Sequence, residues 1–405
     1  MTPTMLRFAG LLGMVFLLVF PLLYTGSNYS FIMHLWITAF FYAILASSWA
    51  LLAGYAGQFS FGHMAFMAIG GYTTGLFNNY LYFSNTPTTT CTEFAIGDRW
   101  LVVLDPIGVA ASPRTCLDAA HSAWAEAGIA GEVLIGQPSL WFGIGLGVIM
   151  GGVFGLLIGA LVLRLRTVYL ALFTVGFSEI LRAVISAEIA VTRGQAGLEL
   201  SPLFPDGITL FGTYFAATHK LPPYYLMLGL FLLCLAIMGL LVRSRFGLFI
   251  RALREDEDAA QALAVNTVRY KILVFVITSM MAAAAGAVQA HYVGIITPNI
   301  LIILQMSLVI AMAVIGGLES IVAAAIGAIV IQFALELLRT SFDIGPWTID
   351  MSVWRLVFFG LLLMLTLRFF RNGLIFSLIL KVERDAVAKE TVSKRQAAAE
   401  PKEID

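Results

Sequence analysis

Charge is what this chain has least of. Only 12% of its 405 residues are Asp, Glu, Lys or Arg, and they balance at 24 basic against 24 acidic. A net charge of zero offers no basic face to nucleic acid, so no nucleic-acid partner is expected. Histidine and cysteine are also scarce, at 5 and 3 residues. None of them falls in an H-x-x-x-H or Cys-x-x-Cys spacing, which excludes the usual metal-site patterns. A Gly-Lys pair occurs nowhere in the chain, so there is no G-x-x-x-x-G-K-[ST] loop to cradle ATP phosphates. The apolar runs hold no acidic cluster of the kind a proton-driven pump would need. No catalytic residues, cofactor or metal are therefore expected, and the energy for any active transport is expected to come from elsewhere.

What the sequence has is oil. Hydrophobic residues make up 60% of it, and the mean hydropathy is +0.91. Runs such as "ILVFVITSMMAAAAGAV" (272–288) are unbroken, and several runs approach or exceed the roughly 18 residues that cross a bilayer as a helix. Hydrocarbon forces every backbone polar group to bond internally, and the short alternating segments of a barrel are missing. The expectation is an all-α polytopic membrane protein of about ten transmembrane helices. They are read at 6–23, 31–53, 58–79, 139–163, 168–187, 223–243, 270–293, 302–317, 320–339 and 353–370. The first apolar run lacks a clear cleavage site and is read as a retained span.

Lys and Arg then set the orientation. Arg7, Arg164, Arg166, Arg243, Arg245, Arg251, Arg254, Arg269, Lys271, Arg368, Arg371 and Lys381 fall on one side of a ten-span count. Only Arg99, Arg114, Arg193 and Lys220 are scattered on the other. Both termini are expected on the cation-rich, cytoplasmic side. The organisation follows: N-terminal transmembrane helices in 1–79, an extracytoplasmic insertion in 80–138, a transmembrane core in 139–370 with a cytoplasmic loop at 244–269, and a cytoplasmic tail in 371–405. The insertion is polar and rich in Pro, Thr and Gly. Its Cys91 and Cys116 could form a disulfide in an oxidising compartment or remain two free thiols. Cys234 is read as an inert packing residue.

Six stretches carry more information. In "WFGIGLGVIMGGVFGLLIGALVLR", Gly143, Gly147, Gly151, Gly155 and Gly159 make a stripe without side chains, suited to close helix packing, either static or as a sliding surface. "AGYAGQFSFGHMAFMAIGGYTTG" (53–75) is unusually polar and glycine-rich for a span. An interrupted helix there would let Gln58, Ser60 and His63 face a substrate pathway. The alternative is small-residue packing, with His63 a satisfied core histidine. "TVGFSEILRAV" puts Glu179 and Arg182 inside a span, where a charge costs roughly 2.5–3.5 kcal/mol and seeks a partner. Three residues apart, they can serve one another as a structural pair or stand in the pathway. Two outer loops, "VTRGQAGLELSPLFPDG" and "HYVGIITPNI" with Thr297, are candidate gate segments or ordinary connections.

The remaining stretch is "RALREDEDAAQALAVNTVRYK" (251–271), which places six charges between Arg251 and Asp258. As one helix it would gather Leu253, Ala260 and Leu263 on one face. Arg251–Glu255 and Arg254–Asp258 pairs would hold the other face in water. It would serve either as a solvated connector or as a docking helix for another protein, with Ala260 on the contact face.

These stretches together resemble the membrane permeases of bacterial ABC importers for branched-chain amino acids, the LivM type. The resemblance covers most of residues 30–370. It rests on "GYAGQFSFGHMAFMAIGGY", "FSEILR", "TRGQAGL", "RALREDEDAAQALAVNTVRYK" and "AVIGGLES". It implies an ABC-importer permease bundle that docks its ATPase through an E-A-A-x-x-x-G-like segment. That segment is Asp258-Ala259-Ala260-Gln261-Ala262-Leu263-Ala264, with Arg254 and Glu255 just before it, and Ala264 stands where the family has glycine. It also implies a second related permease, two ATP-binding subunits and an extracytoplasmic solute-binding protein, all serving import across the bacterial cytoplasmic membrane. Urea, amides or aromatic acids are alternative solutes for the same machinery. A stand-alone secondary transporter is the alternative of a different class.

Overall fold

Long apolar helices dominate because the sequence supplies little else to satisfy a backbone in hydrocarbon. The computed structural model describes residues 3–24, 26, 28–79, 81–83, 92–96, 99–103, 135–136, 139–162, 167–205, 207–210, 212–339, 342–344, 347–349, 351–370, 372–378 and 381. In chain order, α1 is Pro3–Leu23, α2 Tyr29–Ala50, α3 His63–Asn79, α4 Leu140–Val162, α5 Thr167–Ala187 and α6 Leu221–Arg243. Two charged helices follow, α7 Arg245–Glu255 and α8 Glu257–Ala262. Next comes α9, Thr267–Val293, the longest among the described residues, and then α10 Ile303–Gly316, α11 Ile321–Leu337 and α12 Met351–Phe369. Strands occur in the connections. Between α3 and α4 lie β1 Leu81–Phe83, β2 Thr92–Ile96, β3 Arg99–Val103 and β4 Ile135–Gly136, antiparallel in the order β2-β3-β1-β4. Between α5 and α6 lie β5 Leu198–Glu199 and the antiparallel pair β6 Ile208–Leu210 and β7 Thr213–Phe215, and β8 Ile295–Ile296 follows α9.

Among the described residues, five helical stretches are long and apolar enough to cross a membrane: Tyr29–Tyr55, Leu140–Val162, Tyr169–Ala187, Leu221–Arg243 and Thr267–Val293. The pair α10–α11, bent by 120°, makes a sixth if counted as one span, and Leu12–Leu23 and Val357–Phe369 are shorter apolar helices. Among the described residues this supports a multi-pass helical protein with five or six such stretches, fewer than the ten spans read from the sequence. One reason is α3, which starts at His63 rather than residue 58 and is 17 residues long. It is surrounded by other helices, so it needs little apolar surface of its own.

The core is built around α9, which packs on both α2 and α3, with α4 laid across α3 and α9. Glycine makes this possible. A Cβ at Gly70 would collide with the Ala283 carbonyl, and one at Gly286 with the Met67 carbonyl, so α3 and α9 touch backbone to backbone. The glycine stripe of α4 extends the contact: Gly143, Gly147, Gly151, Gly155 and Gly159 are all buried. A Cβ at Gly147 would come within 2.7 Å of the Gly70 carbonyl, and one at Gly155 within 2.8 Å of the Ser279 side chain. On the far side, α6 packs on α2, its start shaped by Pro222 and Pro223.

Candidate functional site

The charged segment is two helices. Asp256 is extended (φ −154°, ψ 109°), and its carboxylate accepts the Ala259 N–H at 3.0 Å, ending α7 and capping α8. The break resets the helical phase. Leu253 and Ala260 still point inward, at 5% and 4% exposure, but Leu263 is 81% exposed. The expected common face therefore fails at Leu263, and Ala260 is turned into the bundle rather than towards a contact surface. What faces outward is Glu255, Asp258, Ala259 and Leu263.

Arg254 is also placed differently from the pairing with Asp258 expected of one continuous helix. Its guanidinium donates to the Gly54 carbonyl and lies 3.9 Å from the Glu319 carboxylate. Arg251 stacks 5.0 Å above the Tyr55 ring, and the Tyr55 hydroxyl donates to the Glu319 carbonyl at 2.8 Å. Lys271 pairs with Glu257 at 2.6 Å, fixing α8 to α9. The charged segment is thus latched to the end of α2 and to the turn between α10 and α11.

The exit from α8 explains the family glycine. The Val265 N–H donates to the Ala260 carbonyl at 3.2 Å and the Ala264 N–H to the Gln261 carbonyl at 2.9 Å. This is a Schellman motif, whose left-handed residue is normally glycine. Here it is Ala264, at φ 61°.

The stretch 53–75 is an interrupted helix. After α2 the backbone widens into a π-turn, Leu51–Tyr55, reverses at Gly57 (φ 66°) and resumes only at His63. Neighbours take up the freed groups. Trp49 Nε1 donates to the Ser60 carbonyl at 2.7 Å, and Thr174 Oγ1 accepts the Phe61 N–H at 2.9 Å. Ser60 is fully buried, and its hydroxyl accepts the Gly62 N–H at 3.1 Å. Gln58 and His63 are also buried, but neither amide atom of Gln58 and neither ring nitrogen of His63 has a hydrogen-bond partner. Within the protein, His63 thus lacks the hydrogen bonds that a satisfied core histidine, its alternative reading, would make.

Glu179 and Arg182 do meet. Arg182 Nε donates to Glu179 Oε1 at 3.0 Å, and Nη2 donates to the same oxygen. The pair lies on the outer surface of α5 rather than inside the bundle, with Glu179 at the edge of a narrow cleft shared with Phe61, Met64, Ser178 and Met306. Met64 also lines a cavity of about 180 Å³ among α2, α3, α9 and α10. Its walls are mostly apolar (Phe41, Met64, Met67, Ile296, Ile300), with Tyr42, Gln289 and Gln305 as neutral polar groups.

The two candidate gate loops come together. β5 (Leu198–Glu199) pairs antiparallel with β8 (Ile295–Ile296), and the Leu200 N–H donates to the Gly294 carbonyl at 2.9 Å. Thr297 follows β8, and a Cβ at Gly197 would meet its methyl at 2.7 Å. Beneath them His291 is held by the Ser201 carbonyl, Thr74 and Asn78, at 2.8, 2.9 and 3.2 Å. Cys91 and Cys116 lie outside the described residues. Sequence reasoning missed Tyr55, Tyr42, Gln289, Gln305 and the His291 anchor, and gave Glu319 no role. A lone acid in a tight turn between two apolar helices was the available signal for Glu319. Isolated glutamines in apolar runs were the signal for the cavity.

The comparison with known proteins follows this geometry. Residues 31–367 match the family described as branched-chain amino acid transport system / permease component. The high-affinity branched-chain amino acid transport system permease protein LivM of Escherichia coli (strain K12) is 31% identical over 233 residues, 51% of this chain and 54% of the relative. LivM of Salmonella typhimurium is 27% identical over 336 residues, 78% of this chain and 66% of the relative. The permease protein LivH of Salmonella typhimurium is 34% identical over 148 residues, 36% and 47% of the two chains. The chain thus spans between half and two-thirds of the LivM relatives' length. No solved structure gives a significant match. With its match running from α2 into α12, the chain belongs to the branched-chain amino acid transport system permease family.

Proposed function

We propose that this chain is the transmembrane permease subunit of an ATP-driven importer for leucine, isoleucine, valine or a related apolar amino acid. It lies multi-pass in the bacterial cytoplasmic membrane, with both termini and residues 244–269 inside and residues 80–138 outside. Its partners are a second related permease, two ATP-binding subunits that carry out the hydrolysis, and an extracytoplasmic solute-binding protein.

The observation that carries this reading is the latched charged segment. Its outer surface, Glu255, Asp258, Ala259 and Leu263, is open to a partner, while Arg254 and Arg251 grip Gly54, Tyr55 and Glu319 on the inner side. When the ATP-binding pair closes, movement of α7–α8 reaches the π-turn of α2 and the α10–α11 turn together. The π-turn leads directly into Gln58, Ser60 and His63, and α2 and α10 wall the cavity. Buried polar atoms without a protein partner, as at Gln58 and His63, mark positions that water or solute visits during alternating access. Thr297 and the β5–β8 pair stand at the outer end of that route.

The cavity's methionine, phenylalanine and isoleucine walls suit a branched aliphatic side chain. Its two glutamine amides also support a second reading, in which the same machinery carries urea or short amides. Extraction in a mild detergent and mass identification of the copurifying chains tests the assembly: an ATP-binding subunit and a second permease are expected, and a lone active chain would overturn it. Thermal stabilisation of the associated solute-binding protein by leucine rather than urea then separates the two solutes.

A further inference from the structure

Among the five long spans α5 is the least covered, yet it carries charge at its centre. Glu179 lies ten residues in from Tyr169 and eight short of Ala187, the ends of that span. At 1.5 Å per residue this is roughly 12–15 Å from either end. Arg182 neutralises it, but the Glu179 side chain remains 54% exposed and that of Arg182 30%. Acyl chains can neither donate nor accept a hydrogen bond, so an ion pair held half open at this depth needs protein against it. The outer face of α4 is different, showing Ile149, Val153, Leu156, Leu157 and Leu161 and no charge, as a lipid-facing helix should.

The remaining exposed positions of α5 say what kind of protein fits. Leu172, Gly176, Glu179, Ala183 and Ala187 form one outward stripe at helical spacing, and nothing lies within 4 Å of a Cβ built at Gly176. Small residues at such spacing let a second helix approach closely. Only a membrane-embedded partner can reach this depth, which excludes the ATP-binding subunits and the solute-binding protein. We propose that the outward face of α5 is the seam with the second, related permease, one of whose helices packs over Gly176 and Ala183 and covers the Glu179–Arg182 pair. This rests on the reading of the chain as one of two related permeases. The cleft of Phe61, Met64, Ser178 and Glu179 opens beside that pair, so the seam borders the route into the bundle.

The test uses the complete transporter, purified through this chain and reconstituted in phosphatidylethanolamine–phosphatidylglycerol vesicles. Nitroxides are attached at Ala183→Cys on α5 or Leu157→Cys on α4, with the native cysteines replaced by serine. Collision with dissolved oxygen, measured by power saturation, should be several-fold lower at residue 183 than at residue 157. A photo-crosslinker in place of Ile180 should give an adduct with the second permease. Equal oxygen access at the two positions would overturn the seam, as would adducts only with lipid or with another copy of this chain. A purified complex lacking a second permease overturns both this seam and the reading beneath it. Protein composition is measured separately, so the two failures are told apart.

Discussion

Ala264 holds a left-handed backbone at φ 61° because the Schellman turn after α8 demands it. A non-glycine residue there costs about 1–2 kcal/mol. Ala264→Gly should therefore stabilise the chain by about 1 kcal/mol, seen as a higher midpoint of heat-induced aggregation in detergent. Lower stability would mean the turn is not formed. The glycines of α4 offer the opposite case. A Cβ at Gly151 would run into that of Ala283, whereas at Gly145 it would meet nothing within 4 Å. Gly151→Ala should cost about 1–3 kcal/mol by overpacking. Gly145→Ala should be neutral or gain up to roughly 1 kcal/mol of helix propensity. Equal effects at the two positions would remove the close α4–α9 contact. The four-residue spacing of this stripe was legible in the sequence, because a helix repeats its face at that interval. The strain at Ala264 was visible only as a missing family glycine, since φ is not written in one residue.

Elements were legible where a single periodicity governed them, and lost where it was interrupted. The segment at 251–266 read as one surface helix, and its charge pairs and contact face were counted on that assumption. Asp256 caps a new helix instead, so the phase shifts, Ala260 turns inward and Leu263 turns out. Arg254 reaches across 200 residues of sequence to Gly54, a contact that no local spacing encodes. The corrected faces give a sharp test. Ala260→Trp should lower the amount of folded chain in the membrane, because it has no room. Ala259→Trp, Leu263→Asp and the double reversal of Glu255 and Asp258 to Lys should leave that amount nearly unchanged, as exposed substitutions usually cost within about 0.5 kcal/mol. Each of these three should reduce recovery of the ATP-binding subunit, the reversal through like-charge contacts. Immunoblots of membranes and of affinity-purified complexes read the two quantities. Loss of abundance for the outward variants would make the segment structural.

For the whole molecule, composition indicated a helical membrane protein, but counting spans by apolar run was less secure. α3 is enclosed by α4, α5, α9 and α10, so its polarity reports its neighbours rather than its depth. The proposed orientation, argued from the Lys and Arg distribution, puts the α6–α7 junction inside and residues 201–220 outside. Single cysteines at Ser244 and Thr213, in a chain otherwise free of cysteine, should react with an impermeant maleimide from opposite sides of the membrane. Reaction from the same side would reverse the span assignment. Transport itself is tested by reconstituting the copurified complex with Mg-ATP sealed inside vesicles, and labelled leucine with the solute-binding protein outside. Leucine should accumulate only when ATP is present and should be displaced by unlabelled isoleucine. A sodium or proton gradient without ATP should give nothing. Accumulation by this chain alone, or driven by an ion gradient with no ATP inside, would contradict its reading as an ATP-coupled permease subunit.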